Sequence, residues 1–388
     1  MKRSTERILT THCGSLPRPP GLMALLTDRA FGRPVDEAEF AAQVEAAVKT
    51  AVGKQVDAGI DVVSDGEMSK IGFYNYVTDR LSGFGGESSS FAPRDLMEFP
   101  EAARRMFQRA GADGPTITSV RPGNDAAITY RGHDQLRADL ANLKTALQGQ
   151  PFTDAFIPAV SPGTVVQNLN TTHYSSRSEY LNALAEALRE EYLAIVRSGF
   201  VLQLDCPDLA MDRHVEFADA PIEEFRKGIG EHVEVVNQAL LGIDPEQVRV
   251  HVCWGNYPGP HHLDVPLEDI LDIVYGVNAS GISIEGANPR HEHEYRVFRD
   301  HPLPDGKFLI PGVIDTVSTH VEHPRVVADR IRRYAEVVGR ENVMAGTDCG
   351  FATVGASYLA PETAYAKLET LVEGARVASA ELWSPARV

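Results

Sequence analysis

The sequence predicts an α/β protein built as a (β/α)8 TIM barrel, with a loop or hairpin insertion after the second strand. Three observations predict it: eight short apolar runs, amphipathic helical patterns between most of them, and no GxGxxG motif after the first run. Short runs without polar alternation are typical of parallel strands buried on both faces. Their alternation with helices indicates a parallel α/β architecture. Eight strands favour a closed barrel, and the absent glycine motif leaves a dinucleotide-binding fold without support.

The predicted strands are bounded by Gly, Pro, Asp or Asn and are rich in β-branched residues. They are Ile8–Cys13, Ile60–Ser64, Ala155–Val160, Val201–Asp205, Val248–Cys253, Gly281–Glu285, Lys307–Val313 and Asn342–Gly346. Apolar residues recur every three or four positions in the predicted helices. These helices are Glu37–Ala58, Ser178–Ser198, Ile222–Leu241, Leu267–Tyr275, Val321–Val338 and Pro361–Ala380. We interpret residues 1–388 as a single catalytic barrel.

The segment Gly83–His133 interrupts this alternation. It continues through a charged helix near Asp95–Arg109 into two strand-like runs, Pro115–Val120 and Ala126–Tyr130. Arg121–Asp125 lies between the runs and has a typical turn composition. We interpret the segment as a flap or hairpin over the barrel mouth. A surface elaboration without a role is the alternative.

The composition narrows the possible partners. The chain has 388 residues and a net charge of −17, which disfavours binding to nucleic acid or anionic membranes and favours small molecules. No apolar run reaches the roughly 18 residues that span a bilayer, and no secretory h-region follows the charged start. The four cysteines form no CxxC pair. We therefore expect a cytoplasmic protein whose thiols serve as ligands or nucleophiles.

The polar residues that follow the predicted strands suggest a metal site. Barrel enzymes carry their active sites at the C-terminal ends of the strands. His251 and Cys253 are two residues apart on one strand, so their side chains share a face. Cys349 and Glu285 follow nearby strands and offer further donors of the types that Zn²⁺ binds. The alternative is that His251 and Cys253 are ordinary core residues.

Two other groups of residues are less decisive. Glu67 and Asp205 lie at strand ends, where they suit recognition of an ammonium group or acid–base work; helix capping is the alternative. The pair His261-His262 lies in a loop. We interpret His291–Glu294 as a charged surface loop and not as a second metal site.

Seven ordered motifs carry a resemblance to a known family. They are Thr10–Pro17, Asp61–Glu67, Gln203–Pro207, His251–Cys253, Ile282–Glu285, Pro311–Asp315 and Thr347–Gly350. With them, nearly the whole chain resembles the catalytic barrel of cobalamin-independent methionine synthase. The wider superfamily includes uroporphyrinogen decarboxylase and zinc methyltransferases.

The resemblance implies an activity and a set of site residues. It implies zinc-dependent methyl transfer to the sulfur of homocysteine, giving methionine. The family's zinc ligands correspond to His251, Cys253, Glu285 and Cys349. Its homocysteine site corresponds to Ser15 near the carboxylate, with Glu67 and Asp205 near the ammonium group. Asp315 corresponds to a catalytic aspartate, and His320 is a substitute for the family's proton-donating histidine, whose position is Val317 here.

Departures from the family concern the methyl donor. Leu169 stands where the family has a folate-stacking tryptophan, Met211 stands for a glutamate, and the additional N-terminal barrel of the full-length synthase is missing from the sequence. Short relatives include core methionine synthases, for which a corrinoid is a candidate donor, and epoxyalkane:coenzyme M transferases. The chain resembles the latter in Gly66–Lys70 and Arg80–Phe84. The donor (folate, corrinoid or epoxide) and the thiol (homocysteine or coenzyme M) stay open, as does a metal-free decarboxylase-like or binding barrel.

Overall fold

Seven parallel strands form the main sheet of the protein, and two further strands form a separate antiparallel pair. A computed structural model describes residues 1–88, 93–109, 121–353 and 359–384. The main sheet has the order β1-β4-β5-β6-β7-β8-β9, and β2 pairs with β3. The strands are β1 (Val62–Ser64), β2 (Phe84–Glu87), β3 (Pro122–Asn124), β4 (Asp154–Val160), β5 (Val201–Asp205), β6 (Val248–Val252), β7 (Gly281–Ile284), β8 (Phe308–Ile314) and β9 (Gly346–Thr347). The α/β class and the parallel order predicted from the sequence are confirmed.

The first predicted strand, Ile8–Cys13, joins the two edges of this sheet without forming a regular strand. Thr10 forms an isolated parallel bridge with Ala345, next to β9, and Thr11 forms one with Val62 of β1. The Thr11 N–H donates to the Ala345 carbonyl at 2.9 Å, and the Val62 N–H donates to the Thr10 carbonyl at 3.0 Å. The described residues thus contain a seven-stranded curled sheet, and the first predicted strand contributes bridges only.

Thirteen α-helices accompany the strands in the described residues. They are α1 (Pro20–Ala30), α2 (Glu37–Ala58), α3 (Val77–Arg80), α4 (Arg94–Glu98), α5 (Pro100–Arg109), α6 (His133–Ala146), α7 (Pro162–Asn168), α8 (Arg177–Arg197), α9 (Asp208–Met211), α10 (Ile222–Ala239), α11 (Leu271–Tyr275), α12 (Pro324–Val338) and α13 (Pro361–Leu382). Local signals set their ends. The Asp36 carboxylate accepts hydrogen bonds from two N–H groups of the first turn of α2, and Gly59 ends that helix with φ 86°. Across the described ranges, every helix is too short or too polar to traverse a bilayer.

The strands separate two apolar clusters. Successive strand residues point to opposite faces, and Val62 and Val63 of β1 accordingly belong to different clusters. Val63 packs in the large cluster together with helix residues. The smaller cluster contains no helix residue, so it fills space enclosed by the strands: Leu9, Val62, Phe156, Val201, Phe308, Ile310 and Met344.

The insertion after β1 differs from its prediction in detail. The predicted helix near Asp95–Arg109 is present as two helices, α4 and α5. The predicted turn contains β3 instead, because the Asn124 side-chain amide donates to the carbonyls of Gly83 and Ala126, both at 2.8 Å, and holds this segment beside β2. The predicted strand Ala126–Tyr130 contributes one isolated bridge, from Tyr130. The run 115–120 lies outside the described residues.

Candidate metal centre and its cavity

Three of the predicted metal ligands converge at the ends of β6 and β9. His251 lies on β6, Cys253 directly follows that strand, and Cys349 lies two residues beyond β9. Their ligand atoms all lie within 4.8 Å of one another, and the three residues could hold a metal ion. The two Sγ atoms are 3.7 Å apart. Zn–S bonds of about 2.3 Å in a tetrahedral site place two sulfurs about 3.8 Å apart, so the pair fits zinc.

The His251 imidazole has the protonation state and orientation of a ligand. Its Nδ1 lies 3.1 Å from the Ser283 hydroxyl, whereas its buried Nε2 has no hydrogen-bond partner among the described residues. Burial, and then the charge of Arg249, lower the pKa of His251 to about 3. The ring is therefore neutral at neutral pH and leaves the Nε2 lone pair free for a cation.

Both thiols favour the protonated state when no cation is bound, although for different reasons. Hydrogen bonding to Cys349, and then burial, raise the pKa of Cys253 well above its usual range. For Cys349 the hydrogen bond to Cys253 lowers the pKa, but burial outweighs it and raises the value to about 11. The Gly255 N–H donates to the Cys253 sulfur at 3.2 Å. A bound cation would replace both thiol protons.

Glu285, the fourth predicted ligand, lies outside this group of three. It follows β7 and is 6% exposed. The Trp254 N–H donates to one of its carboxylate oxygens at 2.8 Å, and the Asn288 amide donates to the other at 2.7 Å. The Asp348 carboxylate accepts the N–H groups of the loop after Glu285, from Gly286, Ala287 and Asn288, each at 2.8 Å. This arrangement ties the loop after β7 to the loop that carries Cys349.

A cavity of about 200 Å³ opens onto the metal-ligand group. Its polar lining includes the three converging ligands and the three residues predicted to bind the thiol substrate. Its apolar lining comes mainly from the insertion and from the loops after β5 and β6. The lining residues used below are Ser15, Glu67, Asp205, His251, Cys253 and Cys349 on the polar side, and Phe73, Pro93, Leu96, Met106, Met211 and Tyr257 on the apolar side.

Glu67 and Asp205 form a pair of buried carboxylates in this cavity. Burial, and then repulsion from Glu67, raise the pKa of Asp205 to about 8. Burial also raises the pKa of Glu67. The Gln203 amide donates to Asp205 at 2.7 Å, but Glu67 Oε2 has no hydrogen-bond partner among the described residues. The Arg18 guanidinium lies 4.0 Å from Glu67 Oε2, and two buried carboxylates would gain from a further cationic partner.

The backbone around Glu67 is built to bring its carboxylate into the cavity. Glu67 has φ 57°, in the left-handed region that residues with a side chain rarely adopt. Gly14, with φ 121°, lies directly opposite: a Cβ at this position would be 2.7 Å from Glu67 Oε1. Ser15 follows, 1% exposed, and its hydroxyl accepts the Ala352 N–H at 3.4 Å.

Asp315 and His320 do not line this cavity. The Asp315 carboxylate accepts the Val317 N–H at 2.9 Å and the Ser318 N–H at 3.3 Å, which shapes the turn after β8. His320 is exposed. Leu169 is fully buried and does not line the cavity; its carbonyl accepts the Tyr180 hydroxyl at 2.9 Å.

A buried network of histidines and carboxylates was missed at the sequence level. The prediction of a surface loop at His291–Glu294 is wrong for the two end residues: His291 is 2% and Glu294 is 4% exposed, whereas His293 is exposed. His291 contacts Glu294 at 2.8 Å and Asp264 at 3.0 Å, and Asp264 also contacts His261 at 3.0 Å. The sequence does contain two histidines that are each followed three residues later by a carboxylate, His261 with Asp264 and His291 with Glu294. Such pairs are as common on exposed loops as in buried networks, so they did not predict burial.

The same network reaches the insertion through Asp95, which is fully buried on α4. The Tyr257 hydroxyl donates to Asp95 at 2.8 Å, and the His261 N–H donates to it at 2.9 Å. His214 lies between Asp95 and Asp264, with ring nitrogens 3.9 and 3.4 Å from their oxygens. The insertion is thereby fixed to the loop after β6, next to the metal-ligand group.

Comparison with known proteins identifies the family of the chain. Residues 134–376 match the family described as the catalytic domain of cobalamin-independent synthase. The chain belongs to that family. Within the cobalamin-independent synthase family, two relatives are nearly as long as this chain. A methionine synthase from Thermococcus kodakarensis is 27% identical over 379 residues, covering 96% of this chain and 94% of the relative. A 2-hydroxypropyl-CoM lyase from Xanthobacter autotrophicus is 26% identical over 365 residues, covering 87% and 86%.

Solved structures share the fold of this family member. A B12-independent methionine synthase from Shewanella sp. W3-18-1, solved in complex with selenomethionine, superimposes with a TM-score of 0.72 at 20% identity, covering 97% of this chain and 99% of that one. A putative vitamin-B12-independent methionine synthase from Listeria monocytogenes gives a TM-score of 0.64 at 18% identity, with coverages of 98% and 100%. Both extend the likeness over the whole described fold.

Proposed function

We propose that the protein is a zinc-dependent thiol S-alkyltransferase that transfers a methyl group to homocysteine, giving methionine. One observation carries the proposal: His251, Cys253 and Cys349 converge within 4.8 Å beside a cavity that Glu67 and Asp205 also line. A soft metal site activates a thiol, and a buried carboxylate pair suits the ammonium group of an amino acid. The similarity to methionine synthases supports the same substrate.

His251, Cys253 and Cys349 would hold the zinc ion, and we assign Glu285 as an additional donor. A bound zinc ion supplies a thiolate at neutral pH from a thiol whose ordinary pKa is near 8.5. The Ser283 hydroxyl and the Gly255 N–H orient His251 and Cys253 for this role.

The remaining polar residues would position the thiol substrate. The ammonium group would bind between Glu67 and Asp205, because two buried carboxylates with raised pKa values gain most from a cationic partner. Ser15 would contact the carboxylate. For Asp315 we retain only a positioning role, because its carboxylate is engaged by backbone N–H groups. The exposed position of His320 gives no support to a proton-donating role, and we do not retain it.

A 2-hydroxyalkyl-coenzyme M lyase, which joins a thiol and an epoxide or separates them, is the second candidate. The similarity to a 2-hydroxypropyl-CoM lyase favours it, and so does the cavity. Pockets for drug-sized ligands measure roughly 300–1,000 Å³, whereas this one measures about 200 Å³ and Leu169 does not line it. A small electrophile suits that space better than a folate.

The decisive experiment compares thiols on the zinc-loaded protein. Homocysteine and coenzyme M are each tested with methyltetrahydrofolate, a methylcorrinoid and a short epoxide, and the thioether product is identified by mass spectrometry. Methionine formation with homocysteine supports the first candidate, and a coenzyme M thioether formed from the epoxide supports the second. Cys206→Ser is the matched control, because Cys206 is buried outside the ligand group. If neither thiol is alkylated by any donor, the proposed function is wrong.

A further inference from the structure

One wall of the cavity is a rigidly held tyrosine. The Tyr257 hydroxyl donates to Asp95, and its ring stacks on His261 with centroids 4.3 Å apart. Gly255 and Gly259 flank the ring so closely that a Cβ would lie 2.5 and 2.1 Å from its carbons. Because its hydroxyl is engaged, Tyr257 presents mainly the face and edge of an apolar ring to the cavity.

Met211 and Leu96 extend this wall on both sides. A Cβ atom added to Gly255 would lie 2.5 Å from the Tyr257 ring and 3.2 Å from Met211 Cε. A Cβ atom added to Gly259 would lie 2.1 Å from the Tyr257 ring and 3.3 Å from Leu96 Cδ2. Three side chains from three parts of the chain, namely the end of α9, the loop after β6 and helix α4, therefore form one apolar surface.

This surface begins beside the metal-ligand group. Gly255 touches the Tyr257 ring on one side, and its N–H donates to the Cys253 sulfur at 3.2 Å. A group bonded to the reacting sulfur would thus meet the apolar wall, while the carboxylates Glu67 and Asp205 line another part of the same cavity. An apolar wall disfavours an anionic substituent, because burying a charge without a partner is costly.

We propose that Leu96, Met211 and Tyr257 form a subsite for the carbon group that is transferred to sulfur, which is therefore short, uncharged and apolar. This inference rests on the proposed thiol alkylation. In the transfer, a sulfur lone pair forms the C–S bond as the bond from carbon to its leaving atom breaks. The leaving atom keeps that electron pair, and the proton lost by the thiol passes to it or to solvent. The three side chains act as specificity determinants by burying the transferred group.

The test measures binding of the alkylated products to the zinc-loaded full-length protein by calorimetry. The probes are S-methyl to S-butyl homocysteine and the same series of coenzyme M thioethers. We expect about fourfold tighter binding per added methylene until the cavity is filled. In Leu96→Ala and Met211→Ala, the short thioethers should bind at least fivefold more weakly, and the optimum should move to longer chains.

Met97→Ala is the matched control, because Met97 is adjacent to Leu96 on α4 but 68% exposed. Met211→Ala lies outside the insertion, so it keeps the test valid if Leu96→Ala disturbs folding. Affinity that does not depend on alkyl length, or Leu96 and Met211 variants that behave as Met97→Ala, would overturn the subsite. So would tighter binding of S-(2-carboxyethyl) homocysteine than of the S-propyl compound, since Arg121 also lines the cavity.

Failure of the subsite and failure of the proposed function give different results. If homocysteine or coenzyme M binds but no thioether does, the subsite is wrong and thiol activation stands. If neither the free thiols nor the thioethers bind, both proposals are wrong.

Discussion

The two ends of the cavity are built by different means. At the thiol end, His251, Cys253 and Cys349 lie on or directly after strands of one parallel sheet. At the other end, which we call the insertion end, the wall consists of Leu96 from the insertion, Met211 from a short helix and Tyr257 from a loop. Asp95 joins the insertion to that loop by accepting hydrogen bonds from Tyr257 and His261. Sheet hydrogen bonds fix strand residues to within fractions of an ångström, whereas loops vary at low cost to the fold. Under the proposed function, thiol activation would depend on the sheet, and selection of the electrophile would depend on the insertion and the loops.

Removing one ligand thiol should have the largest effect. In Cys253→Ser or Cys349→Ser we expect loss of bound zinc and a fall in activity of at least about 10³-fold, because a hydroxyl is a poor substitute for thiolate at zinc. Elemental analysis after dialysis checks the metal content. Cys206→Ser should retain its zinc. Full zinc occupancy in both ligand variants would show that Cys253 and Cys349 do not bind the metal, and the thiol end would then not be a zinc site.

Substitution of Asp205 should separate substrate binding from metal binding. Asp205→Asn removes one charge-assisted hydrogen bond, which costs about 1.5–3 kcal/mol, or roughly 10- to 150-fold in homocysteine KM. Zinc content should stay unchanged, and so should the KM for coenzyme M, which has no ammonium group. Steady-state kinetics with both thiols check this, and an unaltered homocysteine KM would argue for a different thiol.

The histidine network that holds the insertion should make the fold alkali-sensitive. Although burial lowers the pKa values, hydrogen bonds to Asp264 raise the pKa of His261 to about 9 and, together with Glu294, that of His291 to about 10. Groups with raised folded-state pKa values stabilise the fold below their unfolded pKa of about 6.5, and this contribution is lost as pH rises through 9 to 10. We expect a loss on the order of a few kcal/mol in the free energy of unfolding between pH 6.5 and 10.

Denaturant unfolding across this pH range checks the expectation. In His291→Gln the pH dependence should be flatter than in the wild type, because one of the two titrating groups is gone. The same slope in both proteins would mean that other groups cause the alkaline loss.

Tyr257→Phe should have the smallest effect, and only at the insertion end. It leaves the buried Asp95 carboxylate with one donor fewer, which costs about 1–3 kcal/mol of stability, while zinc content is unaffected. Tyr275→Phe is the matched control, because the Tyr275 hydroxyl donates to a single backbone carbonyl, that of His301. Equal stability losses in both variants would show that Asp95 does not anchor the insertion.

The sequence predicted the thiol end far better than the insertion end, for physical reasons. A period of two along a strand places His251 and Cys253 on one face whatever surrounds them. No such local rule brings Tyr257 to Leu96, because the hydrogen bond between Tyr257 and Asp95 joins residues that are 162 positions apart in the chain. Likewise, His291 has the composition of a surface loop and is buried only because Trp254 and Asp264 cover it.

The fold shows the same contrast. Apolar runs predicted β4 to β8 to within one residue at each end, because buried parallel strands have no polar face to confuse the pattern. The run Ile8–Cys13 forms only bridges, with Ala345 on one side and Val62 on the other. In the insertion, the side-chain amide of Asn124 decides where the strand lies, and composition alone does not reveal that.

The left-handed backbone of Glu67 has a consequence for laboratory evolution. At φ 57° a glutamate carries conformational strain that glycine would not. Selection for heat resistance alone should therefore enrich glycine at position 67, although the resulting proteins would have lost a carboxylate from the cavity. Selection for turnover should retain glutamate there in spite of the strain. The frequencies of glycine and glutamate at position 67 in one mutant library would then show whether a screen selects for stability or for turnover.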